Sequence, residues 1–229
     1  MSMHDQHYSG KETLEFLKEA VNYNRFLEEE LLRFLAAADE ALDFGAGNGE
    51  FALRLAAHGK RITTVEADPF LRETLATHGF TTMGHIEAAP TQQRIYSLNV
   101  LEHIEDDAAT LHQFHEKLQA GGRLFLYVPA FHCLYSDFDR AVGHHRRYTK
   151  KTLLDKLEKA GFAIRRAEYV DALGFICWFS MRNLPGDKTK LNPAMVKLFD
   201  RLVFPASRII DRATKHLFGK NLLVIAQKK

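Results

Sequence analysis

A chain of 229 residues, 46% apolar and 26% charged, has material for one substantial core and lies far from disordered or fibrous compositions. Its formal charge of +2, with 12 histidines counted neutral, is too near balance to mark a nucleic-acid binder. The two cysteines, Cys133 and Cys177, are far apart and not in a metal-type spacing, so they fit a reduced cytoplasmic setting with free thiols, with a single disulfide as the alternative; the opening MSMHDQHYSGKE is polar with no secretory apolar region, and no apolar run reaches the ~20 residues of a membrane span.

The elements alternate. Residues 13–38 place Phe16, Ala20, Tyr23, Leu27, Leu31 and Phe34 three or four apart, one face of an amphipathic helix. A strand is expected at 40–44, a helix at 50–58 and a β-branched strand at 61–67; Asp68-Pro69 supplies an N-cap and a first-turn proline for the next helix. Strands at 80–83 and 94–99 follow, then a helix from the Asp106 cap to Gln119, a strand at 123–129, a helix from the Thr149 cap to Ala160, and strands at 163–170 and 221–227. Gly59, Gly79, Gly121 and Gly161 each stand between a predicted helix and a predicted strand, where a left-handed residue ends the helix. Such alternation predicts an α/β protein with a mostly parallel sheet of seven strands and helices on both faces.

The first strand runs into three alternate glycines, Gly45-Ala46-Gly47-Asn48-Gly49, before a helix. In an open α/β sheet that turn lies at the carboxyl rim, where ligands sit. The spacing is G-x-G-x-G rather than the dinucleotide G-x-G-x-x-G, and Asp43 just before it would repel a pyrophosphate but suits an ammonium. Glu66 ends the second strand, where a carboxylate can accept both hydroxyls of a ribose. A nucleoside-type cofactor is expected.

LDFGAGNGEF, VEADP, IYSLNVLEHIEDD and LQAGGRLFLYVPA, in this order, resemble the successive motifs of the class I S-adenosylmethionine-dependent methyltransferases. LYSDFDRAVGHHRRYTKKTL further resembles a bacterial subgroup of general methyltransferases, some of them linked to glycosyltransferases. The resemblance covers about residues 20–170 and implies a Rossmann-like core at 40–170 within a single methyltransferase domain, with S-adenosylmethionine as methyl donor and S-adenosylhomocysteine as product. It implies that Asp43, Gly45, Ala46, Gly47, Asn48 and Gly49 frame the methionine half, that Glu66 holds the ribose, that Ala67 and Asp68 line the adenine, and that Asn99, Val100 and Leu101 close the far side. Relatives that place an acid after the third strand are not matched, so either His85 or Glu87 substitutes or that adenine contact is missing. Quinone-biosynthesis O-methyltransferases are similar over NVLEHIEDD and hold a divalent metal there; Asn99 replaces one acid, leaving Glu102 and His103, and no metal is expected.

Methyl transfer needs alignment first and a base only when the acceptor must lose a proton. His103 after the fourth strand is one candidate base, weighed against a packing histidine. The loop after the fifth strand supplies the others: His144, His145 and Tyr148 for catalysis, with Tyr135, Arg146 and Arg147 to bind an acceptor carboxylate or phosphate. Which histidine faces inward stays open, as does a plain solvated loop of Asp–Arg pairs. Tyr23 and Arg25 are candidates for a lid.

An insertion at 171–220 precedes the last strand, 221–229. Residues 192–218 put Met195, Leu198, Leu202, Ala206, Ile209 and Ala213 on one face and Lys197, Arg201, Arg208, Arg212 and Lys215 elsewhere, with Pro205 as a kink. The face is expected to pack as a cap over the acceptor, with a homodimer surface and a peripheral membrane contact as alternatives. The acceptor is read as a small molecule or a glycan- or lipid-linked intermediate and not a nucleic acid. A nicotinamide-dependent oxidoreductase and a non-catalytic cofactor-binding regulatory module are the rival functions.

Overall fold

In the computed structural model, residues 19–36, 38–181 and 192–229 are described. Seven strands form one sheet: β1 (Glu40–Phe44), β2 (Arg61–Val65), β3 (Thr81–Met83), β4 (Gln92–Leu98), β5 (Leu118–Pro129), β6 (Phe162–Val170) and β7 (Asn221–Lys228), in the order β3-β2-β1-β4-β5-β7-β6. All neighbours are parallel except β7, which runs antiparallel to β5 and β6. The chain goes outward from β1 to β3 and returns to β4 on the other side. The switch point therefore lies between β1 and β4, with the glycine turn on one flank and Asn99 on the other.

The helices are α1 (Val21–Leu35), α2 (Glu50–Ala57), α3 (Pro69–Thr77), α4 (Asp107–Lys117), α5 (Asp137–Ala141), α6 (Lys150–Lys159), α7 (Ala172–Met181), α8 (Pro193–Leu198) and α9 (Phe204–Thr214), with a π turn, Phe199–Val203, joining the last two. They cover both faces of the sheet, so central strands are apolar on both sides. Leu42, Ile95, Leu124, Leu126 and Val224 face one core with Leu111, Phe114, Leu153 and Leu157. Ala41, Tyr96, Phe125, Tyr127 and Leu223 face the other with Leu27, Leu31, Leu55 and Phe204. Each such fully buried Leu or Phe contributes about 1.5–3 kcal/mol.

Local signals hold where their partners are local. The Asp68 carboxylate accepts the Phe70 and Leu71 amides and Asp106 accepts that of Ala109, as N-caps do. Gly59, Gly79 and Gly161 end helices with φ of 77°, 85° and 93°. Gly121 does not. The helix before it stops at Lys117, and Gly121 sits inside β5, where the pairing jumps from Gln92–Leu118 to Arg94–Arg123 and loops the intervening residues out. The first helix is described from Val21, and the part expected at 13–18 lies outside the described residues.

The insertion departs most from expectation. The face read as inward is outward: Leu198, Leu202 and Ile209 are 53%, 63% and 66% exposed. Asp200, Phe204, Ser207 and Asp211 are buried instead. The reason is capping at a distance. Asp200 accepts the Asn22 and Tyr23 amides at 2.9 and 2.8 Å, closing the N-terminus of α1, whose own N-cap Ala20 offers no side chain. Asp211 accepts the Asp171 and Ala172 amides at 3.0 and 2.9 Å, and Ser207 Oγ accepts that of Leu173, closing α7. Left unpaired, each buried amide at the start of α7 would cost about 1–3 kcal/mol, and the half-buried amides that open α1 are paired in the same way.

Candidate functional site

The glycine turn is built as a close approach. Gly45, Gly47 and Gly49 have φ of 76°, 57° and 82°, a region L side chains rarely enter. A Cβ on Gly45 would stand 2.3 Å from a methyl of Val100, so the turn after β1 and the segment after β4 touch backbone to side chain. Gly49 is the left-handed N-cap of α2, and Asn48 Oδ1 accepts the Glu50 amide beside it. Gly45 and Ala46 donate their amides to Val65 O. Glu66, next in the chain, turns toward the rim: its Oε2 accepts the Gly47 amide at 2.8 Å and its Oε1 the Asp68 amide at 2.9 Å. Asp43 lies buried beneath, its carboxyl pushed up to about 7 by burial, with Glu66 adding and the Tyr96 hydroxyl opposing.

Across the switch, Asn99 holds φ 53°, donates its amide to Tyr127 O and sets its Nδ2 3.5 Å from the Tyr23 hydroxyl. Burial pushes that hydroxyl up to about 12. Tyr23 thus brings α1 to the rim, whereas Arg25 is exposed. Leu101 is buried in a short turn with Glu102 and His103. Ala67 and His85 are exposed, and Glu87 accepts from Gln113. The Asp68 carboxylate is committed to its cap, leaving backbone as what it can offer a ligand.

The loop after β5 converges on Asp139, which is fully buried. Its carboxylate accepts from the Ser136 amide, from His144 Nδ1 at 2.8 Å, and from Arg147 Nε and Nη2 at 2.7 and 2.9 Å. Those partners hold it well below the usual carboxylate range despite its burial. The His103 and His144 rings meet edge to face at 4.6 Å. His144 Nε2 lies 3.9 Å from Glu102 Oε1. Both Glu102 oxygens are buried with no hydrogen-bond partner among the described residues, and burial raises the group to about 8. Burial, then the neighbouring His144, drives His103 down to about 4. Glu102, His103 and His144 each bring a ligand atom within 4.8 Å of the others, the set that could take a divalent cation.

Three expected roles change. Arg147, expected to grip an acceptor anion, is a buried bidentate partner of Asp139. Arg146 donates to Ile104 O and Glu105 O and pairs with Asp107 at 3.0 Å, so it ties the loop to the start of α4. Tyr148 is buried and donates to Asp107 Oδ2 and Leu101 O, which removes its hydroxyl from proton transfer. Of the paired histidines, His144 turns inward and His145 is exposed. Tyr135 donates to His144 O and supports that turn.

Sequence reading missed Asp171, Lys220 and Trp178. Asp171 ends β6 with φ 67° and accepts the Gly174 amide. Lys220 Nζ stands 5.0 Å from the Trp178 ring centre and 5.7 Å from that of Phe199, with no hydrogen bond or ion pair among the described residues. Burial lowers its amine. Trp178 in turn donates to Leu134 O, seating α7 on the loop after β5. Lys220 lies far along the chain from Asp171 and Trp178, so no spacing announces that they meet. A cleft of about 250 Å³ among Ala38, Glu40, Arg61, Gln92 and Gln119 lies at the amino ends of β1, β2 and β4, opposite the glycine rim, and contains no candidate residue.

A family model described as a methyltransferase domain matches residues 18–167. No curated protein matches the chain. Among solved structures, it is similar to a SAM-dependent methyltransferase from Archaeoglobus fulgidus (TM-score 0.60, 17% identity, covering 93% of this chain and 99% of that one). It is also similar to the magnesium protoporphyrin IX methyltransferase ChlM of Synechocystis with bound SAM (0.55, 13%, 91% and 81%). A third is the 4+2 cyclase SpnF (0.60, 19%, 90% and 80%). At these identities the likeness is one of fold.

Proposed function

The chain belongs to the methyltransferase-domain family, and from that premise we propose that it binds S-adenosylmethionine over the glycine turn and methylates a small-molecule or glycan- or lipid-linked acceptor beneath the 171–220 insertion. The observation that carries the reading is the Glu66 carboxylate, held at the rim by the Gly47 and Asp68 amides. A carboxylate has room for about four hydrogen bonds, so two positions remain for a ribose diol. Asp43, buried at neutral pH with a proton near its midpoint, is offered a cation by the ligand's ammonium and gains a partner on binding.

The bound cofactor would supply an activated methyl on a sulfonium, which leaves as a neutral thioether when the acceptor atom forms its bond to carbon. The chain's part is to orient the acceptor, exclude water and take the proton an acceptor O–H or N–H must shed. His144 is the group we assign to that proton: with Nδ1 engaged by Asp139, Nε2 carries the lone pair. Asp139 and Arg147 position it. The thiols of Cys133 and Cys177 accord with a cytoplasmic setting.

Calorimetric titration separates this reading from its rivals. S-adenosylhomocysteine should bind and NAD should not. The reverse result would replace methyl transfer with hydride chemistry, and binding without any methyl incorporation into cell extract would favour a regulatory module.

A further inference from the structure

Twelve large apolar side chains are exposed among the described residues, and nine of them, from Ile176 to Leu217, belong to the insertion. Such concentration marks a contact surface rather than ordinary scatter. On the π turn and α9 the arrangement is one-sided: Phe204, Ser207 and Asp211 turn inward while Leu202, Ala206, Ile209, Ile210 and Ala213 turn out. The capping bonds of Asp200 and Asp211 lock that orientation, so the apolar side cannot roll into the core.

Charge decides what covers it. Asp200 and Asp211 are the acids of residues 192–229, and both are buried. The exposed charges on α8, the π turn and α9 are Lys197, Arg201 and Arg212. Lys197 pairs with Glu19, whereas Arg201 and Arg212 form no ion pair among the described residues. A second copy of this chain would bring these cations against themselves. An anionic bilayer would neutralise them while its hydrocarbon takes Leu202 and Ile209. Among the described residues no helix is long and apolar enough to cross a membrane, and the contact inferred is with the membrane surface.

We infer that the outward face of residues 193–217 docks the protein on an anionic membrane surface. α7 starts at the carboxyl end of β6 and seats Trp178 on the loop after β5. The inference goes beyond the methyl-transfer reading and does not need a cofactor.

The test is co-sedimentation of the full chain with phosphatidylglycerol vesicles and with phosphatidylcholine vesicles. Binding to the anionic vesicles, weakened by salt, is expected. The double variant Leu202→Ser/Ile209→Ser should lose partitioning roughly tenfold or more, and Arg201→Gln/Arg212→Gln should lose the preference for anionic lipid by a similar factor. S-adenosylhomocysteine affinity should stay unchanged in both, which keeps a failed membrane contact distinct from a failed cofactor site. Equal partitioning of wild type and variants would overturn the inference. So would a dimer in analytical ultracentrifugation that Leu202→Ser/Ile209→Ser dissociates.

Discussion

The Glu66 carboxylate already accepts two amides, so its substitution acts on the turn and the ligand together. Glu66→Ala should weaken S-adenosylhomocysteine by about 1.5–3 kcal/mol for each charge-assisted bond lost to the ribose. Calorimetry checks this, and undiminished affinity would remove Glu66 from recognition. Gly45 is a separate case, because a Cβ there would overlap Val100 and the residue sits at φ 76°. Gly45→Ala should lower stability by about 1–3 kcal/mol from backbone strain plus overlap. Adding Val100→Ala should recover the overlap part only, as read by urea unfolding. His144→Gln should cut methyl incorporation into cell extract by about 100-fold or more, the range of general-base catalysis, with cofactor affinity intact. Each of these residues was visible in the sequence. Arg147 and Tyr148 were visible too, yet their side chains end on Asp139 and Asp107, contacts no local pattern encodes.

At the scale of elements, helix starts separate what was legible from what was not. α3 and α4 are capped by the residue just before them, and both caps were read from sequence. α1 and α7 are capped from residues 200 and 211, and the sequence offers no sign of it. Asp211→Ala should therefore cost about 1–3 kcal/mol by orphaning two buried amides, and it also frees Arg208 from its partner. Ile209→Ser, two residues away on the outward side, should change stability by less than about 0.5 kcal/mol. Urea midpoints that reversed this order would contradict the placement of α9.

For the whole molecule, buried carboxyls set a pH slope. Asp43 and Glu102 are raised to about 7 and about 8, so the folded chain keeps protons that the unfolded chain releases near pH 4. Protons bound preferentially by the native state make stability fall as pH rises toward those values. His103, lowered to about 4, acts oppositely, but only up to the ordinary histidine range near 6.5. The melting temperature should therefore fall between pH 6.5 and 8. Asp43→Asn with Glu102→Gln should flatten that fall, and a slope unchanged by the pair would refute the burial account. Cofactor affinity should move the other way for Asp43, improving as its carboxyl ionises.

The sequence by itself determined the alternation of strands and helices and the glycine turn at the carboxyl rim, because periodicity, caps and turns act between residues close in the chain. Only the tertiary structure decided which side of residues 193–214 is buried, which histidine turns inward and what Arg147 holds. Those outcomes depend on desolvated amides and charges finding partners elsewhere in the fold. In residues 193–214 the side turned inward is the one whose Asp200, Ser207 and Asp211 pair with amides at distant helix starts, and the apolar stripe that pattern alone would bury faces out.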